Sequence, residues 1–598
     1  MRTVYALLVG IDDYPRGALR GCVNDIRAVR RWLRSRSVPP VDVRTLYDGQ
    51  ATREAVLEGL RGHLGRAGAG DTALFWFCGH GTRRPDGDPR SASGWSEALV
   101  CHDSPLPGGQ PLLRDGELGA LLDGIAARGT HVVAVLDCCH AGGATREGVR
   151  GTEWRPWWCP EAGTRAVRPG PRRHTLLAAC RPDERAHESD VEGLVRGDFS
   201  HALLNALDRL GPTTTCGKLH ASAHGALAPR QRPELHGTGS ARFLGGDDRT
   251  DSAFLLRHTR AGWEVDCGKA HGLRAPGAEF TVLGEGAPRT VAVRRLRAES
   301  ALVEPVDWQP TPVERESVFE VTPSALAFAP TAVAVTGEPG AVQALREAVA
   351  GVAGLAPADG DGDGPLLRVD VGADRARVSG GAGHPVPELP LRSAADAARV
   401  VDCLVHLARW HRLLQLSNPD PWLSSRVRVS VEPTGVGALR RTPDGEVVCG
   451  YTRDGREPQV TVRLHNDSGR RLWCVLLDLT DGYACSPELC EGEFVGPGRS
   501  GTARGGAPVW LRLPPGRALV RGASARDWLK LIVTEHELNP APFGLPAWPT
   551  GPGTTRDRVS ALAPLRLTAP ATARDIGRTG PSVGRWGTVQ VAVRTEVT

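Results

Sequence analysis

Thr130 to Gly142 reads THVVAVLDCCHAG, and few stretches narrow the fold of a chain as much. The run Val132, Val133, Ala134, Val135, Leu136 is short, continuously apolar and β-branched, and it stops abruptly in polar and small residues. That is the pattern of a strand buried on both faces of a parallel sheet. Cys139 then falls just past a strand end, and open α/β sheets gather their chemistry outside the carboxyl ends of their strands. A second stretch has the same form: Ala73, Leu74, Phe75, Trp76 and Phe77 run into Cys78, Gly79, His80 and Gly81. A thiol and an imidazole are thereby expected at the ends of two strands of one sheet.

Strand-like and helix-like segments alternate around these two. Val4–Gly10 reads as the first strand, because its apolar run is too short for a signal peptide and Asp12 and Asp13 follow at once. A helix is predicted around residues 24–34, a strand over 41–47, a helix opened by Thr52, a helix over 117–125, a strand over 175–180 and a helix over 199–210. The fold class expected for residues 1–246 is therefore α/β, a mostly parallel sheet sandwiched by helices. At 598 residues the chain is too long for one core. Beyond the first domain we expect a small β-rich domain over 250–325, a mixed α/β domain over 330–425 and a β-sandwich-like domain over 430–598.

Composition removes several classes of function. The net charge of +5 is small for this length and no basic block carries interleaved aromatics, so nucleic acid is not an expected partner. No apolar run approaches about 18 residues, so a membrane is not expected either. The fourteen cysteines lack paired CxxC spacing, which predicts reduced thiols in a cytoplasmic protein and no zinc site. Asp359, Asp361 and Asp363 imitate the start of a calcium loop, but Pro365 follows and residues 366–371 read as a strand, so we take them as a solvated turn.

A thiolate is the strongest side-chain nucleophile near neutral pH, and an imidazole can generate it and later protonate a leaving amine. With His80 and Cys139 in those roles, the backbone N–H groups of Gly81 and Cys139 are the candidate donors to a developing oxyanion. Cys138 reads as a small core residue, and His140 as structural, since neighbours in sequence point apart.

Seven segments in order carry a family resemblance: YALLVGIDDY, LRGCVNDI, FCGHGT, EALVCHD, DCCHAG, LLAACRPDERAHE and GDFSHALLNAL. Together they resemble the caspase and metacaspase superfamily of cysteine peptidases over residues 4–246. The resemblance implies that Cys139 is the nucleophile and His80 its partner, with Ala141 standing where a serine is usual. It also implies an acidic pocket for the residue before the cleaved bond, formed by Asp25 and Asp137 with Cys22 and Cys78 beside them. Protein substrates cut after Arg or Lys follow, because two carboxylates in one partly buried pocket call for a cation. No cofactor is required; calcium is the one candidate, near Glu97, Asp103, Asp115 and Glu117. The arginine-rich stretch 145–174 falls where relatives carry a cleavable linker, so self-cleavage is expected there. The C-terminal half is expected to regulate or target the peptidase, with a regulatory protein as its partner. Residues 461–537 resemble, loosely, a β-rich module found behind bacterial caspase-like domains, and the Ala-, Gly- and Arg-rich composition suits a bacterial source. Two other readings compete: a scaffold that keeps the fold without activity, and a protease latent until a partner binds.

Overall fold

A computed structural model of the chain describes residues 2–15, 17–35, 39–85, 91–104, 111–138, 172–181, 184–228, 231–237, 239–245, 254–274, 278–284, 289–323, 328, 330–352, 354–358, 366–380, 383–435, 437–514, 516–548 and 584–597. Cys139 lies outside the described residues, as do most of the arginine-rich stretch and Asp359, Asp361 and Asp363. The chain divides into two compact units, residues 1–250 with 316–318, and residues 251–315 with 319–598.

The first unit runs β1 (Val4–Gly10), α1 (Cys22–Ser35), β2 (Val41–Tyr47), α2 (Arg53–Glu58), β3 (Thr72–Gly79), β4 (Gly81–Pro85), β5 (Trp95–Leu99), β6 (Leu113–Arg114), α3 (Asp115–Ala126) and β7 (His131–Cys138). It continues with β8 (Thr175–Ala178), β9 (Glu188–Val191), β10 (Leu194–Gly197), α4 (Asp198–Leu210), α5 (Cys216–Ala226) and β11 (Glu234–His236). Six of these strands form one sheet in the order β11-β8-β7-β3-β1-β2, parallel throughout except for β11 at its edge.

Alternation along each central strand explains the continuous apolar runs. In β1, β3 and β7, Ala6, Leu8, Leu74, Trp76, Val133 and Val135 join one core with Ile26 and Val29 of α1 and Phe199 and Leu203 of α4. Their neighbours Leu7, Val9, Phe75, Phe77, Val132 and Ala134 join another with Val56 and Leu57 of α2 and Leu118 and Leu122 of α3. A strand clothed on both sides has no solvent face on which to place polar residues. Thr52 caps α2 by accepting from the Ala55 N–H, as its position predicts. Two antiparallel additions stand outside this sheet: β4-β5-β6, and a hairpin of β9 and β10 turned by Glu192 (φ 54°) and Gly193 (φ 82°).

In the second unit, strands between Phe254 and Pro323 close into a six-stranded barrel. A five-stranded sheet follows over residues 331–390, accompanied by helices Pro339–Ala350 and Ala394–Gln415. Residues 427–596 build two further sheets whose inner faces share one core, Val429, Val462 and Leu464 from one and Leu476, Leu529 and Leu531 from the other. Among the described residues, no helix is long and apolar enough to cross a membrane.

Candidate active site

The candidate site lies at the carboxyl edge of β3 and β7. These strands are neighbours, with Cys78 opposite Asp137 and Gly79 opposite Cys138. His80 is the residue that follows β3, and Cys139 the one that follows β7 in the chain.

His80 is held from three sides. Its backbone N–H donates to the Tyr14 hydroxyl at 3.1 Å, and its carbonyl accepts from the Val100 N–H at 3.0 Å. The Tyr14 hydroxyl donates in turn to the Val100 carbonyl at 2.8 Å, and the two rings lie 4.6 Å apart. The third tie fixes the tautomer. Nε2 is 2.6 Å from the Gly17 carbonyl, which can only accept, so in the neutral ring Nε2 carries the hydrogen and Nδ1 is the basic nitrogen. Gly17 has φ +72°, and a Cβ there would come to 3.4 Å from that Nε2, so glycine suits the position twice. Gly81, a candidate oxyanion donor, opens β4 immediately after His80.

Cys78 and Asp137 face the layer of α1 and α4, while Cys138 is buried in the opposite layer with α2 and α3. The pleat thus turns Cys138 away from the acidic side and into the core, as expected for a structural Cys138. Asp25 comes up from the first turn of α1, and one atom each of Asp25, Cys78 and Asp137 lie within 4.8 Å of one another. Cys22 is set apart from them: its thiol points at Glu188, 3.8 Å away, in a separate group with Asp12. Asp12 and Glu188 serve the start of α1, accepting from the N–H groups of Cys22 and Val23, and of Gly21.

The acidic pair sits at the start of α4. The Gly197 N–H donates to Asp25 Oδ2 at 2.7 Å and the Ser200 N–H to Asp137 Oδ2 at 2.9 Å. A helix N-terminus favours negative charge, which helps two carboxylates share this space. Gly197 is required by closeness, because a Cβ would lie 2.6 Å from Asp137 Oδ2 and 2.9 Å from Asp25 Oδ2. Ser200 also receives the Trp76 indole N–H at 3.1 Å and contacts Cys78 Sγ at 3.4 Å. Burial, then the neighbouring Asp137, pushes Asp25 up to about 8. Burial likewise pushes Asp137 up to about 6. Arg196 completes the group, its Nε donating to Asp25 Oδ1 at 2.5 Å. Sequence reasoning names Asp25, Asp137 and Cys78 but gives no role to Tyr14, Gly17, Arg196 or Ser200; Tyr14 closes the segment YALLVGIDDY and Ser200 lies in GDFSHALL, while nothing in the sequence points to Gly17 or Arg196.

Two of the acids considered for calcium, Asp103 and Glu117, are engaged by Arg53. Arg53 takes Glu117 with Nη2 at 2.7 and 2.9 Å, and its backbone N–H takes Asp103 at 2.8 Å. Asp115 is pushed up to about 6 by burial and by Glu97. Neither of the two close groupings of possible ligand atoms among the described residues includes any of the four.

Comparison with known proteins bears on the first unit. The caspase domain family model matches residues 3–244. Metacaspase-1 of Mycosarcoma maydis is 32% identical over 146 residues, 23% of this chain and 36% of its own length. Metacaspase-1A of Aspergillus terreus is 29% identical over 147 residues, with the same shares of 23% and 36%. The chain thus spans about a third of the length of these curated relatives. Protein GSU0716 from Geobacter sulfurreducens, 21% identical, covers 42% of this chain and 98% of its own at a TM-score of 0.32, too low to bear on the fold.

Proposed function

We propose that residues 3–244, a caspase domain of the caspase and metacaspase superfamily, act as a cysteine endopeptidase that cuts proteins after Arg or Lys. Nδ1 of His80 takes the proton of the Cys139 thiol, and the sulfur attacks the scissile carbonyl carbon. The oxyanion that forms accepts from the N–H groups of Gly81 and Cys139. His80 then protonates the leaving amine, and water cleaves the thioester to release acid and free thiol. The C-terminal unit targets or regulates this reaction, in a cytoplasmic setting.

The observation that carries the reading is the gathering of sequence-distant groups at one sheet edge: His80, with its basic nitrogen selected by Gly17, follows the strand whose end carries Cys78 opposite Asp137, and Asp137 lies against Asp25. Two carboxylates buried side by side are costly without a cation, and Arg196 already supplies one to Asp25, which supports a guanidinium or ammonium as the recognised group. A peptide-library cleavage assay on the full chain and its Cys139→Ala variant tests this. Cleavage after Arg and Lys that vanishes in the variant is the expected result; cleavage after Asp, or equal products from both proteins, would overturn it.

A further inference from the structure

The acidic pair is not open to a substrate. Asp25 is 1% exposed and Asp137 7%, whereas the side chain of Arg196 beside them keeps 14%. Arg196 is thus the member of the group whose side chain keeps the most exposure, and its guanidinium occupies the position a substrate's basic side chain would need. We propose that Arg196 is a tethered plug, a basic residue of this chain that fills the acidic pocket and must be displaced before a substrate's Arg or Lys can enter. The inference rests on the reading of Asp25 and Asp137 as the pocket for the residue before the cleaved bond.

Three features suit Arg196 to leaving. It reaches Asp25 through Nε, and its Nη2 is buried without a hydrogen-bond partner. The two-pronged pairing that makes arginine–carboxylate contacts strong is therefore not realised, and an incoming guanidinium able to use both prongs has an advantage. The backbone that carries Arg196 is the second hazard to closure. β9 and β10 pair with each other and with no other described strand, and a two-stranded ribbon has little stability of its own. What holds it down is polar: Arg196 on Asp25, Glu188 on the Gly21 N–H, and the Asn24 side-chain amide on the Val195 carbonyl at 3.0 Å. Finally, the strand ends at Gly197, whose own N–H bonds Asp25, and the Ser200 N–H of α4 bonds Asp137, so the plug can swing out by a hinge at Gly197 while these two amides keep the carboxylates in place.

The test separates the plug from the peptidase reading by measuring binding without catalysis. In the full chain carrying Cys139→Ala, acetyl-argininamide is titrated by calorimetry with and without Arg196→Gln. The plug predicts at least tenfold tighter binding when Arg196 is replaced. In the cysteine-intact chain, the same substitution lowers KM for an Arg-terminated fluorogenic peptide by a similar factor, a larger effect than on kcat. Equal or weaker binding by the variant overturns the plug while leaving the acidic pocket standing. Binding by neither protein removes both. Should Arg196→Gln fail to fold, hydrogen exchange on the Cys139→Ala chain decides: acetyl-argininamide is expected to speed exchange at the amides of residues 188–196, and unchanged or slower exchange there counts against the plug.

Discussion

Asp25 in the first unit and Lys530 in the second are buried to the same degree, 1% and 2% exposed, and each lies at the end of a helix. Lys530 donates to the carbonyls of Leu414 and Leu416, at the end of helix Ala394–Gln415, at 2.5 and 2.7 Å. Two unpaired carbonyls of a helix C-terminus serve this cation, although burial still lowers Lys530 to about 7. Asp25 has the complementary position at the start of α4, but Asp137 is there too, and the helix amides cannot neutralise both. The difference teaches how to tell a buried charge that holds a fold from one that awaits a partner. The first meets helix-end carbonyls; the second stands beside its own sign and carries Arg196 as a counter-ion.

Predictions follow from pressing on that difference. The largest effect is expected outside it, at the chemistry: Cys139→Ala or His80→Ala should reduce turnover of an Arg-terminated fluorogenic peptide by about 1,000-fold or more. Asp25→Asn or Asp137→Asn should cut the preference for Arg over Leu peptides by about 100-fold, because an ion pair is replaced by a neutral contact. Stability should then move in opposite directions in the two units. Lys530→Met leaves two helix-end carbonyls unpaired and should cost about 1–3 kcal/mol in urea denaturation. Asp137→Asn removes a like charge and should stabilise the protein by about 1–3 kcal/mol at pH 8 while spoiling specificity.

pH sharpens the same contrast. Asp25 and Asp137 have folded-state pKa values above those of the unfolded chain, about 8 and about 6. The folded state therefore holds protons that the unfolded state has lost, and their contribution falls as pH rises from about 4 towards 8. His271 and His406 of the second unit are pushed down to about 4 by burial, so their contribution is lost as pH falls from about 6.5 to 4. Burial also lowers Lys530 to about 7, so its contribution grows as pH rises from about 7 to 10. Subtracting the melting curves of Asp137→Asn and of His406→Gln from that of the full chain, between pH 5 and 8, should give slopes of opposite sign. The smallest effect is Thr52→Ala, which removes the α2 cap and should cost about 1 kcal/mol with no change in Arg preference; a change there would mean that specificity merely tracks stability.

Residues with strong local signals were legible before any fold was known. β1, β3 and β7 announce themselves through apolar runs that only a strand covered on both faces requires, and His80 through its place at the end of β3. Helix α5, CGKLHASAHGA, escaped because small and polar residues blur its periodicity. The hairpin of β9 and β10 escaped because its strands are four residues each and largely polar. Lys530 read as one polar letter inside the strand WLKLIVTE; nothing local announces the helix end it meets, more than a hundred positions away.

Hydrophobic periodicity is a local property, so the chain's own letters determined that a doubly covered sheet forms here and which residues stand at its mouth. Which groups then touch is a matter of distance through space: Arg196 and Asp25 are separated by 171 positions, and no spacing rule connects them. Only folding, by bringing β10 across the start of α1, decided that the acidic pocket is covered by an arginine of its own chain.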